Sequence, residues 1–410
     1  MQFAIDAATA ARLEGVRRLG AARIRPLGLE ADRLGRPVPP DDPYFQTLLD
    51  LGLGRTRWDP DAAARAASAT ESRAQRGEAE RSQQVGTSRL TLLLAEEQSY
   101  WDRGVAVAAP GPGLGEPPLL SMGTEEQKRR FLGPFLEPNR PRWGSFAMTE
   151  PGAGSDVAAI ETRAKRDGDH WVLDGEKSFA ANASRADWIV VWATLDASLG
   201  RAGHRAFVVE RGTPGLGDFK IERKMGLKAY ESTSFALRGC RVPGANLIGG
   251  AGHYAARAGF KGALASFNAT RPMIAAMAVG IGRAALDAAL AFAQEHDRLG
   301  DARVRDRLER SARKLRMARL LALRAAWLAD HQRPNLVEAS MAKAVAPAVA
   351  YEAASLGMEL LGAVGGRGDH LIEKLFRDVK AMDIVEGTGQ IQRIVMARQL
   401  VNLPREAGGA

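Results

Sequence analysis

The apolar positions of the chain change their spacing twice. From residue 1 to about residue 142 they recur at helical intervals: Phe45, Leu48, Leu49 and Leu51 form one stripe, and residues 90–99 carry another. Pro110, Pro112, Pro117 and Pro118, interleaved with glycines, mark a loop. Residues 124–131 then read as a short helix with an acidic start and a basic end. Between residues 143 and 250 the stripes give way to short apolar runs bounded by Gly and Asp turns. Trp171-Val172-Leu173, Trp188-Ile189-Val190-Val191-Trp192 and Ala206-Phe207-Val208-Val209 predict strands. From residue 251 long helical patterns return over 268–296, 301–329, 336–361 and 371–382, with a last helix after Glu386. Four main helices with short links predict a bundle, and Pro347 inside the third should kink or restart it. The fold class expected is therefore α+β: an N-terminal helical domain (1–142), a middle β domain (143–250) and a C-terminal four-helix bundle (251–410). Residues 61–84, rich in Ala, Arg, Glu and Ser, are expected to be an exposed helix or a mobile segment.

Composition adds boundaries. With 410 residues, 45% hydrophobic and 26% charged, the chain can bury a sizeable core. Its single cysteine, Cys240, can form no internal disulfide, and the six histidines follow no metal-binding pattern, so no metal site is expected. Residues 1–14 lack the basic start and apolar run of a secretory signal. Apolar runs such as residues 273–281 fall short of a membrane crossing, so the expected location is the cytoplasm. A formal charge of +9 attracts anions: nucleotide cofactors, phosphate-bearing thioesters or nucleic acid.

The candidate chemistry lies near the end of the chain. Residues 384–393 read Ile-Val-Glu-Gly-Thr-Gly-Gln-Ile-Gln-Arg, a lone carboxylate at the mouth of a helix that Thr388 can cap. Gly387 leaves space for a ligand, and Ile391, Ile394 and Val395 are spaced to bury one face. A helix start can hold such a carboxylate, as a base, beside unspent backbone N–H donors. The helix terminus favours the anion and burial the neutral acid. Taken alone, an acid before a helix is also a common structural device.

Read with Met148-Thr149-Glu150-Pro151-Gly152-Ala153-Gly154-Ser155-Asp156-Val157, this segment resembles the paired signatures of the acyl-CoA dehydrogenase family, and the likeness covers residues from about 120 to 402. The resemblance implies FAD held between β domain and bundle, oxidation of an acyl-CoA to its 2,3-enoyl form, and an electron-transfer flavoprotein or similar acceptor. It implies Glu386 as the base. The family's alternative base position corresponds here to Thr270, which cannot serve at neutral pH. Phe146, Met148, Thr149, Gly154, Ser155, Phe179, Ala181, Thr388 and Gln390 are implied to contact FAD, and Ser155, Asn268, Arg271, Gly387 and Arg398 to lie by the substrate.

Departures from the family pattern shape the alternatives. Phe179 and Ala181 stand where a tryptophan and a threonine are usual, so a bond to flavin N5 must come from backbone. Val385 replaces a frequent tyrosine, which suggests a wider pocket for a branched, cyclic or longer acyl group. The segments that in the family reach a neighbouring subunit's FAD carry His296, Leu299, Arg307, Glu359 and Ala363 at altered positions, with Arg298 and Gly362 beside them. Glu359 would repel a diphosphate unless Arg298 or Arg307 compensates. A homo- or hetero-oligomer is implied, and a non-catalytic partner subunit is one alternative. A same-fold oxidase or monooxygenase is another. Nucleic-acid binding is a third, motivated by the basic run from Arg303 to Arg319; acids interrupt that run and no aromatic residues interleave to stack bases, so it is not expected.

Overall fold

The computed structural model describes residues 4–61, 86–255 and 259–401, apart from the side chains of 255–269; the segment expected to be exposed or mobile falls almost wholly outside them. The N-terminal helices are α1 (Ala7–Leu19), which runs through a π turn into α2 (Arg25–Leu34), then α3 (Pro43–Asp50), α4 (Thr87–Ala108), α5 (Glu116–Met122) and α6 (Glu125–Phe131). The last opens on a capping box. The Thr124 hydroxyl accepts from the Gln127 N–H at 3.2 Å, and the Gln127 side chain accepts from the Thr124 N–H at 3.1 Å. α4 is broken at Asp102, whose backbone is extended (φ −165°, ψ 115°) and whose buried carboxylate accepts the Val105 N–H at 2.9 Å. That local cap restarts the helix directly after the break.

Among the described residues seven strands form one sheet: β1 (Gly144–Ala147), β2 (Arg163–Asp167), β3 (His170–Ala181), β4 (Trp188–Thr194), β5 (His204–Glu210), β6 (Leu216–Ile221) and β7 (Ser232–Pro243). The order is β1-β4-β2-β3-β7-β6, with β5 also on β4. β4 is buried along its whole length, as its unbroken apolar run requires. Ile189 and Val191 join one apolar cluster with Phe45, Leu173 and Phe207. Trp188, Val190 and Trp192 join another with Leu119, Phe131 and Phe135, so the sheet is covered on both sides.

α7 (Gly250–Ala255) leads into the bundle of α8 (Gly259–Glu295), α9 (Ala302–Asp330), α10 (Leu336–Leu361), α11 (Leu371–Ile384) and α12 (Gly389–Leu400). Buried alanines on α8 (Ala275, Ala278, Ala285) and α10 (Ala346, Ala350, Ala353) let these helices approach closely. This packing corrects one expectation. α10 runs unbroken through Pro347, because the side chains on both sides of the proline are held in the core. α8 also passes a composition test for crossing a bilayer over Thr270–Glu295, yet 67% of that window is buried inside the bundle, where a central helix must be apolar.

One charged cluster joins all three parts. Lys374 of α11 donates to Asp102 of α4 and to Asp378, each at 2.5 Å, and Asp378 also accepts the Leu227 N–H from the loop before β7 at 2.5 Å. All three side chains are buried. Burial works against the Lys374 ammonium, but the two carboxylates outweigh it and hold its pKa above the usual lysine value.

Candidate active site

α11 ends at Ile384 and α12 starts at Gly389, so Glu386 sits in the turn between α11, whose inner face is packed, and α12. Its backbone is left-handed (φ 58°), as is that of Gly387 (φ 87°), a conformation unfavourable for a side-chain-bearing residue. Two groups hold the turn. The Thr388 hydroxyl caps α12 by accepting the Ile391 N–H at 3.3 Å, as expected, and buried Gln392 donates to the Gly387 carbonyl at 3.0 Å. A Cβ at position 387 would stand 2.9 Å from the Gln392 amide. Glycine there answers both the left-handed backbone and the nearby Gln392 amide.

The Glu386 carboxylate accepts a hydrogen bond from buried Thr270 on α8 at 3.2 Å, so the threonine at the alternative base position supports the glutamate. Burial raises the carboxylate pKa above the ordinary value; the Thr270 hydrogen bond and the nearby cations Lys343, Arg271 and Arg103 oppose the rise. Arg271 is buried and donates to the Ser340 hydroxyl at 3.5 Å. Lys343, fully buried on α10, donates to the Asp383 carbonyl at 3.2 Å, and burial pulls its pKa down to about 8. The amide N–H groups of Glu386, Gly387 and Thr388 bond no backbone carbonyl among the described residues. A base, an array of cations and free donors thus converge on one niche.

The residues implied for the flavin lie on the sheet. Phe146 lies in β1, which ends at Ala147, and Met148 and Thr149 follow it; the Thr149 carbonyl accepts the Ser178 N–H at 2.9 Å, tying this loop to β3. Beneath it, fully buried Lys177 donates to the Met148 carbonyl at 3.1 Å and to Glu150 at 2.6 Å, while Glu150 accepts the N–H groups of Glu161 (2.6 Å) and Thr162 (3.0 Å). The irregular register of β3 between Lys177 and Ala180 throws Phe179 outward in a left-handed conformation (φ 59°) with 67% of its surface exposed. Cβ atoms at Gly152 and Gly154 would meet nothing within 4 Å. An outward-held aromatic face beside an open glycine loop fits a flat ring such as isoalloxazine. Ser155 and Gly154 are exposed on that loop, and Ala181 ends β3.

A second group of implied residues is not brought to this niche. His296, Arg298, Glu359 and Gly362 lie at the opposite end of the bundle, with His296 about 39 Å along α8 from Thr270. There His296 stacks on Phe292 at 4.0 Å between ring centroids, and Glu359 pairs with Arg307, the compensation the sequence called for. Other basic residues of α9 are similarly matched: Arg310 with Asp306, Arg313 with Glu309, Lys314 with Glu352 and Arg319 with Glu96. Gln390 and Arg398 are exposed on α12, and Asn268 lies on α8 among side chains not described. The apolar face expected on α12 is not buried within the chain, since Ile394 stays 47% exposed and only Gly389 and Gln392 are covered. Sequence reasoning missed Arg103, Lys343 and Gln392. The available signal for Lys343 was a polar residue placed among the inward positions of an otherwise packed helix.

Residues 145–240 match the family described as acyl-CoA dehydrogenase, middle domain, and residues 257–401 match acyl-CoA dehydrogenase, C-terminal domain. The chain belongs to the acyl-CoA dehydrogenase family. It is 38% identical over 317 residues to the "Probable acyl-CoA dehydrogenase FadE25" of Mycobacterium tuberculosis, across 76% of this chain and 80% of that one. Among solved structures it resembles butyryl-CoA dehydrogenase from Megasphaera elsdenii, with 28% identity, a TM-score of 0.82 and coverage of 98% and 100% of the two chains. It also resembles glutaryl-coenzyme A dehydrogenase in complex with glutaryl-CoA, with 27% identity, a TM-score of 0.83 and coverage of 99% and 98%. The acyl-CoA dehydrogenase assignment makes this chain an oxidoreductase with helical parts on either side of a central sheet.

Proposed function

We propose that this acyl-CoA dehydrogenase converts an acyl-CoA to its 2,3-enoyl thioester, with Glu386 as the base that takes the α proton. The observation that carries the reading is the enclosed carboxylate of Glu386, held by Thr270 and faced by three cations in a turn whose backbone N–H groups are unspent. A carboxyl pKa raised by burial makes Glu386 a stronger base once ionised, while the cations keep an ionised fraction available. The amides of the turn are positioned to stabilise negative charge on the thioester oxygen as the proton leaves. Phe146, Met148, Thr149, Phe179 and the Gly152–Gly154 loop would hold the isoalloxazine of FAD, and Thr388 and Gln390 would approach it from the bundle. FAD, when bound, supplies the acceptor for the β hydrogen as hydride.

An electron-transfer flavoprotein or similar acceptor is the expected oxidant of the reduced enzyme, and a cytoplasmic oligomer is the expected setting. The distant His296, Arg298, Glu359 and Gly362 cluster supports an oligomer in which one subunit's bundle reaches its neighbour's cofactor. Mixing the FAD-loaded protein anaerobically with acyl-CoA thioesters tests the reading. Loss of the oxidised-flavin absorbance with formation of enoyl-CoA is the expected result, and a flavin left oxidised by every thioester overturns it.

A further inference from the structure

Lys177 is a charged side chain for which the reaction above has no step. It sits fully buried on β3, where the ladder with β7 pairs it with Phe235 and then breaks until Ala180 meets Thr233. Inside that break lie Ser178, whose N–H donates to the Thr149 carbonyl at 2.9 Å, and the outward-facing Phe179. From the inner side the Lys177 ammonium donates to the Met148 carbonyl at 3.1 Å and to Glu150 at 2.6 Å. Glu150 closes the turn over Pro151 and Gly152, exchanging backbone hydrogen bonds with Ala153 at 3.1 and 3.2 Å. One ammonium therefore ties the glycine loop to the irregular stretch of β3 that presents Phe179. Burial pulls the Lys177 pKa down to about 8 against the opposing charge of Glu150, so the group is protonated at neutral pH.

A buried ion pair is a costly way to fill space, since apolar side chains of similar volume are often as stable. What an apolar side chain cannot do is hold a carbonyl. The peptide between Met148 and Thr149 is planar and trans, so a carbonyl drawn to Lys177 turns the Thr149 N–H the opposite way, away from the buried ammonium. That N–H has no backbone acceptor among the described residues. We propose that Lys177 is a positioning residue for the flavin: by holding the Met148 carbonyl it presents the Thr149 N–H as a fixed donor to the isoalloxazine, beside the Phe179 face. A fixed donor binds the ring more strongly as the ring gains electrons, so the same contact raises the reduction potential of the bound flavin. The inference rests on the FAD-dependent reading above.

The experiment compares FAD-loaded wild type with Lys177→Met/Glu150→Gln and Lys177→Gln/Glu150→Gln. Neither variant leaves an unpaired buried charge, and only the second keeps a side-chain N–H donor at position 177. The FAD dissociation constant is read from the release of flavin on dilution, and the reduction potential from titration against a reference dye. K177M/E150Q is expected to weaken FAD by about 10-fold, the loss of one good hydrogen bond, and to lower the potential; K177Q/E150Q is expected to recover part of both. FAD affinity within about twofold of wild type and an unmoved potential in K177M/E150Q overturn the proposal. Equal losses in the two variants also overturn it, because packing rather than the donor would then account for them. If K177M/E150Q does not fold, K177Q/E150Q carries the comparison with wild type: a smaller loss in the same direction supports the proposal and none overturns it. A wild type that takes up no FAD overturns the FAD reading together with this inference, whereas FAD held equally by wild type and variants overturns this inference alone.

Discussion

Lys374 is the single cation between Asp102 and Asp378, 2.5 Å from each, and all three are buried where the three parts of the fold meet. Replacing it with Met keeps much of the side-chain bulk and leaves the two carboxylates without their ion-pair partner, with Arg25 and Lys224 acting on them only through space. Each retains a backbone donor, Val105 N–H for Asp102 and Leu227 N–H for Asp378. Breaking a buried pair from one side costs about 3–5 kcal/mol, which for a chain of 410 residues lowers the unfolding midpoint by roughly 3–6 °C. The loss carries a pH signature. Burial already raises Asp378, and removing Lys374 takes away the charge that opposes the rise. An acid whose folded pKa exceeds its unfolded pKa binds protons on folding, so its contribution is most favourable at low pH and is lost as pH rises through the folded value. The deficit of K374M should therefore be smaller at about pH 5.5 than at about pH 8 in urea unfolding, and D378N added to K374M should recover part of it. A deficit below about 1 kcal/mol, or one equal at the two pH values, would refute the reasoning.

Two further outcomes follow from the turn at Glu386. Its left-handed backbone favours glycine over alanine by about 1–2 kcal/mol, partly offset by about 0.4–1 kcal/mol of extra freedom in the unfolded chain, so E386G should exceed E386A in stability by about 0.5–1 kcal/mol; equal stabilities would place residue 386 in an ordinary conformation. Lys343→Met removes a cation that opposes the upward shift of Glu386, so the acidic limb of the kcat/KM profile, which rises as Glu386 ionises, should move to higher pH. A limb that stays in place would separate Lys343 from the base.

Strong periodicity made the bundle readable. The third long helix has the bounds its apolar spacing predicts, Leu336–Leu361, while Pro347 misled because local propensity yields to packing on both sides of it. β3, β4 and β5 announced themselves through apolar runs, but β2 and β6 are mostly exposed and their patterns resemble loops. β7 was missed despite its buried residues, because Thr, Ser, Gly and Arg interrupt its apolar positions. At the site, Glu386, Gly387 and Thr388 were legible because one turn holds all three. Arg103 and Lys343 come from α4 and α10, and no local spacing ties either to residue 386. The break at Asp102 is likewise set by Lys374, 272 residues away in sequence.

The account turns on Glu386 removing the proton next to the thioester carbonyl, and hydrogen exchange at that carbon tests it without relying on electron transfer. In D2O, the FAD-loaded wild type should place deuterium on the α carbon of a bound acyl-CoA, read by mass spectrometry, and Glu386→Gln should slow this by about 100-fold or more. Undiminished exchange in E386Q, with binding of the thioester intact, would show that another group takes the proton and would contradict the account.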